Sequence, residues 1–156
     1  MTLLNFMFKF EELDVRESLA KLWSFPIFLN MSENKQKSVL IIENDDAILS
    51  SLSNRFKQKD MLVITAKDGY EGYTRACKES PDLIVSETLL PSMNGFRVAR
   101  LLKFDERFKD TPLILITSNN VDSVQDLFKA SGADQILGKP FRFRDLMEIM
   151  EGVEIA

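Results

Sequence analysis

Four apolar runs of this chain end in polar residues of complementary chemistry. Glu43-Asn-Asp-Asp46 follows Ser38-Val-Leu-Ile-Ile42, and Ser86-Glu-Thr88 follows Leu83-Ile-Val85. Thr117-Ser118 follows Leu113-Ile-Leu-Ile116, and Gly138-Lys-Pro140 follows Gln135-Ile-Leu137. Carboxylates, hydroxyls and one lysine brought to a single place suit a divalent cation beside a phosphoryl group. Carboxylates would hold the cation, while a hydroxyl and an ammonium would meet phosphoryl oxygens.

For these groups to meet, the runs must be neighbouring strands whose carboxyl ends share one edge. The patterning supports that arrangement. The four runs, with Met61-Leu-Val-Ile-Thr65, alternate with stretches of helical spacing: Asp46–Lys59, Gly69–Lys78, Gly95–Phe104, Asp122–Ala130 and Arg144–Met150. In the first helix Ile48, Leu49, Leu52 and Phe56 share a face, and in the third Val98, Leu101 and Leu102 point inward. Short strands that are apolar on both faces indicate a parallel sheet covered by helices on each side. The expectation is a five-stranded doubly wound α/β domain over residues 38–153, with its site beyond the strand ends. Residues 31–37 are polar and aperiodic and read as a linker. Asp45 or Asp46 suits the N-cap of the first helix, Gly95 a turn and Gly132 a helix C-cap. Cys77 reads as a buried small hydrophobe.

Composition removes many alternatives. The 156 residues carry 20 Lys plus Arg against 24 Asp plus Glu, a net charge of -4, so nucleic-acid binding through phosphate contacts is not expected. There is no histidine, which removes histidine bases, histidine metal sites and a phosphohistidine role. A single cysteine removes an internal disulfide and multi-cysteine zinc, and points to a cytoplasmic setting. The charge-free runs Leu22–Ser32 and Thr111–Val121 are far short of the roughly 20 apolar residues of a membrane span. The N-terminus lacks the basic leader of a secretory signal. No G-x-G-x-x-G occurs, and Gly132–Lys139 misses the phosphate-loop spacing by one residue, with Pro140 where Ser or Thr is required.

Taken in order, several stretches resemble the receiver domain of two-component response regulators. They are Val39-Leu-Ile-Ile-Glu-Asn-Asp45, Ala66-Lys-Asp-Gly69, Pro81-Asp-Leu-Ile-Val85, Leu90-Pro-Ser-Met-Asn-Gly-Phe96, Thr111-Pro-Leu-Ile-Leu-Ile-Thr117 and Gly132-Ala-Asp-Gln-Ile-Leu-Gly-Lys-Pro-Phe141. The resemblance implies a flavodoxin-like strand order 2-1-3-4-5. It also implies an acidic pair holding Mg²⁺, an aspartate that takes a phosphoryl group from a histidine kinase, a Ser/Thr and a lysine. Position by position these fall on Glu43 and Asn44, Glu87, Thr117 and Lys139. A cis Lys139–Pro140 peptide is implied as well.

Three positions depart from that pattern. Glu87 replaces the acceptor aspartate, Asn44 the second acid of the pair, and Ile136 the family's switch aromatic. One extra methylene displaces a carboxylate by about 1.5 Å, and a misplacement of about 1 Å costs on the order of 10²-fold in rate. Asn44 removes a charge next to the cation, worth about 4 kcal/mol at 4 Å before desolvation. The expectation is weak or absent Mg²⁺ and a poor phosphoacceptor at Glu87. Alternatively, Glu87 imitates a phosphorylated aspartate by reaching Lys139 and Thr117 directly. A purely structural Glu43–Glu87–Lys139 ion pair is the plain alternative.

The expected function is therefore that of a binding module, not an enzyme: a receiver that signals by protein contact without a phosphorylation cycle. The resemblance places the contact face on the fourth helix, fifth strand and fifth helix, with Ile136 and Phe143. A conventional phosphoacceptor serving a histidine kinase is the alternative. Residues 1–30 hold Phe6, Phe8, Phe10, Trp23, Phe25 and Phe28, with a helix expected over Glu11–Trp23. This segment either buries its apolar face, for instance in a dimer, or precedes a native start at Met31.

Overall fold

The structure is a computed structural model and describes residues 35–153. The aromatic segment 1–30 and its expected helix lie outside the described residues. The elements are β1 Ser38–Ile42, α1 Asp46–Gln58, β2 Leu62–Ala66, α2 Gly69–Glu79, β3 Leu83–Glu87 and α3 Gly95–Lys103. They continue with β4 Leu113–Thr117, a 3₁₀ turn Val121–Val124, α4 Gln125–Ser131, β5 Gln135–Gly138 and α5 Phe143–Glu151. All strand pairs are parallel and the order is 2-1-3-4-5, as expected.

Alternation along each central strand divides the core in two. Val39, Ile41, Leu83, Val85, Ile114 and Ile116 face α1 and α5, where they meet Leu52, Phe56, Leu146 and Met150. Leu40, Ile42, Ile84, Leu113 and Leu115 face the other way, onto Ala76, Val98, Ala99 and Leu102. Both faces of β1, β3 and β4 are buried, which is why these strands are unbroken Val, Ile and Leu runs.

Local capping sets where the helices begin and end. Asp45 is the N-cap of α1, its Oδ1 accepting from the Ile48 amide at 2.9 Å, and Asp46 is the first helical residue. Asp68 and Asn94 cap α2 and α3 in the same way. Gly132 ends α4 at φ +73°, a conformation that favours glycine.

Several local expectations are corrected. β3 runs through Glu87 and β4 through Thr117, because register with the neighbouring strand carries the pairing past the last aliphatic residue. The expected helix at Asp122–Ala130 splits into the 3₁₀ turn and α4, with Asn120 capping the turn through the Asp122 amide. Leu101 is exposed, while Val98 and Leu102 are buried. Cys77 is half-buried at the core margin, not within it. Gly95 serves a close approach and not a turn. Its amide donates to the Thr88 carbonyl at 2.9 Å, and a Cβ would fall 2.1 Å from the Glu87 carbonyl oxygen. Gly95→Ala must therefore separate α3 from the end of β3. A loss of about 2–3 kcal/mol is expected in urea unfolding.

Candidate functional site

The strand order brings the ends of β1, β3, β4 and β5 to one edge, and the connection after each strand carries a polar group there. Glu43, just beyond β1, and Glu87, the last residue of β3, are 2% and 3% exposed. Lys139 enters from the end of β5. Its Nζ donates to Glu43 Oε2 at 2.8 Å and meets Glu87 Oε2 at 2.5 Å. Two buried carboxylates thus share one ammonium.

The remaining carboxylate oxygens are held by backbone and hydroxyl donors. Glu43 Oε1 accepts from the Asp45 amide at 3.0 Å. Glu87 Oε1 accepts from the Thr88 amide at 2.7 Å, the Leu89 amide at 2.9 Å and the Thr88 hydroxyl at 3.0 Å. The Thr88 amide is shared with the Ile116 carbonyl at 2.9 Å. Thr88 Oγ1 lies 2.9 Å from Thr117 Oγ1, and Thr117 Oγ1 accepts from the Asn119 amide at 3.1 Å. Among the described residues, no buried side-chain nitrogen or oxygen lacks a partner. This satisfaction is what allows an excess carboxylate charge to stay out of water.

Lys139 carries the electrostatic signature. Burial acts against its charge, but the hydrogen bonds and charges of Glu43 and Glu87 outweigh that and raise its pKa above the ordinary lysine value. A raised pKa makes the ammonium a stabilising group at every pH below the ordinary lysine range. The contribution disappears as the pH climbs through the raised value.

The family resemblance implies a divalent cation here, and the residues do not fit one. A hard cation needs several oxygens turned toward it. Each inward carboxylate oxygen of Glu43 and Glu87 is already engaged by an N–H, a hydroxyl or the Lys139 ammonium. Asn44 is exposed and neutral, and Asp45 spends its Oδ1 on the α1 cap. Among the described residues, no three acidic or sulfur/imidazole side chains are grouped to hold a metal ion.

The structure therefore joins Glu43, Glu87 and Lys139 directly. Thr117 joins them only through Thr88, not by the direct contact expected of Glu87. Asn44 stays outside. The Lys139–Pro140 peptide is cis. Ile136 packs half-buried on the α2–α4 side of the sheet, whereas Phe143 packs on the α1 side, edge-on to Phe56 at 5.2 Å. They flank the edge strand β5 from its two sides. The residue without a role in the sequence reading is Thr88. Its signal was the hydroxyl next to Glu87, and only the β3–β4 register sets it beside Thr117.

Residues 39–151 match the response regulator receiver domain family, and the chain belongs to it. It is 35% identical over 111 residues to the DNA-binding dual master transcriptional regulator RpaA of Synechocystis, covering 70% of this chain and 45% of RpaA. It is 30% identical over 111 residues to Protein PilG of Pseudomonas aeruginosa, covering 70% of this chain and 81% of PilG. The chain spans about half the length of RpaA and of AfsQ1 from Streptomyces coelicolor. Chemotaxis response regulator CheY4 of Vibrio cholerae superposes with a TM-score of 0.71 at 28% identity, over 77% of this chain and 100% of CheY4.

Lys139→Met would leave Glu43 and Glu87 buried without a counter-charge. The expected loss is about 3–5 kcal/mol at neutral pH. Urea midpoints of the wild-type and variant chains measure it.

Proposed function

We propose that this receiver domain signals without a phosphorylation cycle, through protein contact, with Glu87 as a permanent negative charge at the acceptor position. The observation that carries this reading is the engagement of both Glu87 oxygens. One meets the Lys139 ammonium, and the other takes two amides and the Thr88 hydroxyl. An attacking carboxylate needs a free lone pair and a cation to receive the phosphoryl charge. Here three donors crowd Oε1, Oε2 is held against the ammonium, and the one cation of the cluster is already shared between two carboxylates. Glu87 imitates a phosphorylated aspartate only in part, because a phosphoryl group brings about -2 of charge and three acceptor oxygens.

In this reading the domain is a binding module in a cytoplasmic signalling pathway, not an enzyme. The partner contact lies on α4, β5 and α5, with Ile136 in it. Phe143 belongs to it as the first residue of α5. Whether the aromatic segment 1–30 adds a dimer contact is a separate part of the proposal, read by comparing the mass of the full chain in solution with that of a chain starting at Met31. Among the described residues no helix is long and apolar enough to cross a membrane.

The relatives favour a second reading, a conventional phosphoacceptor served by a histidine kinase, since the curated proteins it matches include transcriptional regulators and a hybrid signal transduction histidine kinase. Amide NMR with Mg²⁺ and then beryllofluoride separates the two. The expected result is that the signals of Glu43, Asn44, Glu87, Thr117 and Lys139 stay in place at millimolar Mg²⁺ and after beryllofluoride. Movement at both steps overturns the phosphorylation-independent reading. The double variant Glu87→Asp with Asn44→Asp is expected to gain both responses, because it frees the Thr88 and Leu89 amides and adds a carboxylate for the cation.

A further inference from the structure

We propose that Thr88 is the positioning residue that ties the Glu87 carboxylate to Thr117, and so holds the loop after β4 in one arrangement. This rests on the reading of Glu87 as a fixed charged group, and extends it to how that charge is felt elsewhere in the domain.

Hydrogen-bond bookkeeping gives the chain of contacts a single direction. A carboxylate can only accept, so the hydroxyl of Thr88 must donate to Glu87 Oε1 across 3.0 Å. That hydroxyl has one proton. Across the 2.9 Å to Thr117, Thr88 Oγ1 must therefore accept, and Thr117 must donate. Thr117 Oγ1 in turn accepts from the Asn119 amide at 3.1 Å. Every proton from Asn119 to Glu87 points toward the carboxylate, an arrangement in which each bond polarises the next. Thr88 and Thr117 are both fully buried, so water cannot substitute for a missing member.

The loop is gripped at its far end as well. Asn120 caps the 3₁₀ turn through the Asp122 amide at 2.8 Å, and its carbonyl accepts from the Ser123 hydroxyl at 2.6 Å. Val124 is buried. The Val121 side chain lies against Gly138, where an added Cβ would come within 3.3 Å of it. Gly138 precedes Lys139, whose amide donates to the Thr117 carbonyl at 2.7 Å and whose ammonium returns to Glu87. The contacts form a closed circuit: Glu87, Thr88, Thr117, the 118–124 loop, Gly138, Lys139 and back to Glu87. Thr88 is the member that carries the β3 charge to β4. A valine there has the same shape and neither donates nor accepts.

The test compares the wild-type chain with Thr88→Val and Thr88→Ser, by amide hydrogen exchange and two-dimensional NMR. Thr88→Val is expected to speed exchange at Asn119 and across Val121–Val124 by about 5- to 10-fold, the size of one lost hydrogen bond. It should also move the Thr117 and Asn119 signals. Amides of β2, such as Val63 and Thr65, should keep their rates. Thr88→Ser should restore the wild-type loop. Unchanged loop exchange in Thr88→Val overturns the proposal. So does a uniform rise that includes β2, which marks a general loss of stability, and so does a failure of Thr88→Ser to rescue. A beryllofluoride response in the wild-type chain would instead defeat the fixed-charge reading, and the Thr88→Val comparison reads the relay independently of it.

Discussion

Lys139 holds two buried carboxylates together, and the arrangement of the sheet edge depends on that contact. Glu43 comes from the end of β1, Glu87 from β3, and the lysine from β5, two strands away from Glu87. The ammonium therefore spans most of the width of the sheet. Three charges out of water are costly, and a buried ion pair is seldom a net source of stability compared with apolar packing. Its consequence is specificity. Only an arrangement that brings these three strand ends together gives both glutamates a counter-charge, and the Asp45, Thr88 and Leu89 amides satisfy what remains.

Side-chain length decides which partners the last residue of β3 can reach. A glutamate at the end of β3 carries its carboxylate about one bond further than an aspartate. That added reach places one oxygen among the Thr88 and Leu89 donors while the other meets Lys139. Both oxygens thereby serve as hydrogen-bond acceptors within the fold. The loss of a carboxylate at Asn44 acts in the same direction. With a neutral side chain at the surface there, the Lys139 ammonium remains the cation shared by Glu43 and Glu87.

Much of the fold was legible because its physics is local and repetitive. Unbroken Val, Ile and Leu runs mean strands covered on both sides, and Asp45, Asp68 and Asn94 mark helix starts through short-range bonds to nearby amides. Errors arose where long-range pairing takes over. β3 and β4 extend through Glu87 and Thr117 because the neighbouring strand continues to offer partners. Leu101 has the spacing of an inward residue, yet Val98, Ala99 and Leu102 take the buried face of α3 and leave it exposed.

The sequence by itself determined the strand and helix order, the receiver family, and the types of group at the strand ends: Glu43, Glu87, Thr117 and Lys139. The elements and the groups follow from patterning and spacing within short stretches of chain, and the family from the resemblance those stretches carry. The tertiary structure decided which of those groups touch. Lys139 bridges both glutamates, Asn44 stands apart, and Thr117 reaches Glu87 only through Thr88. Contacts of about 3 Å between residues as many as 96 positions apart depend on strand register and side-chain reach, and neither is written in any local pattern.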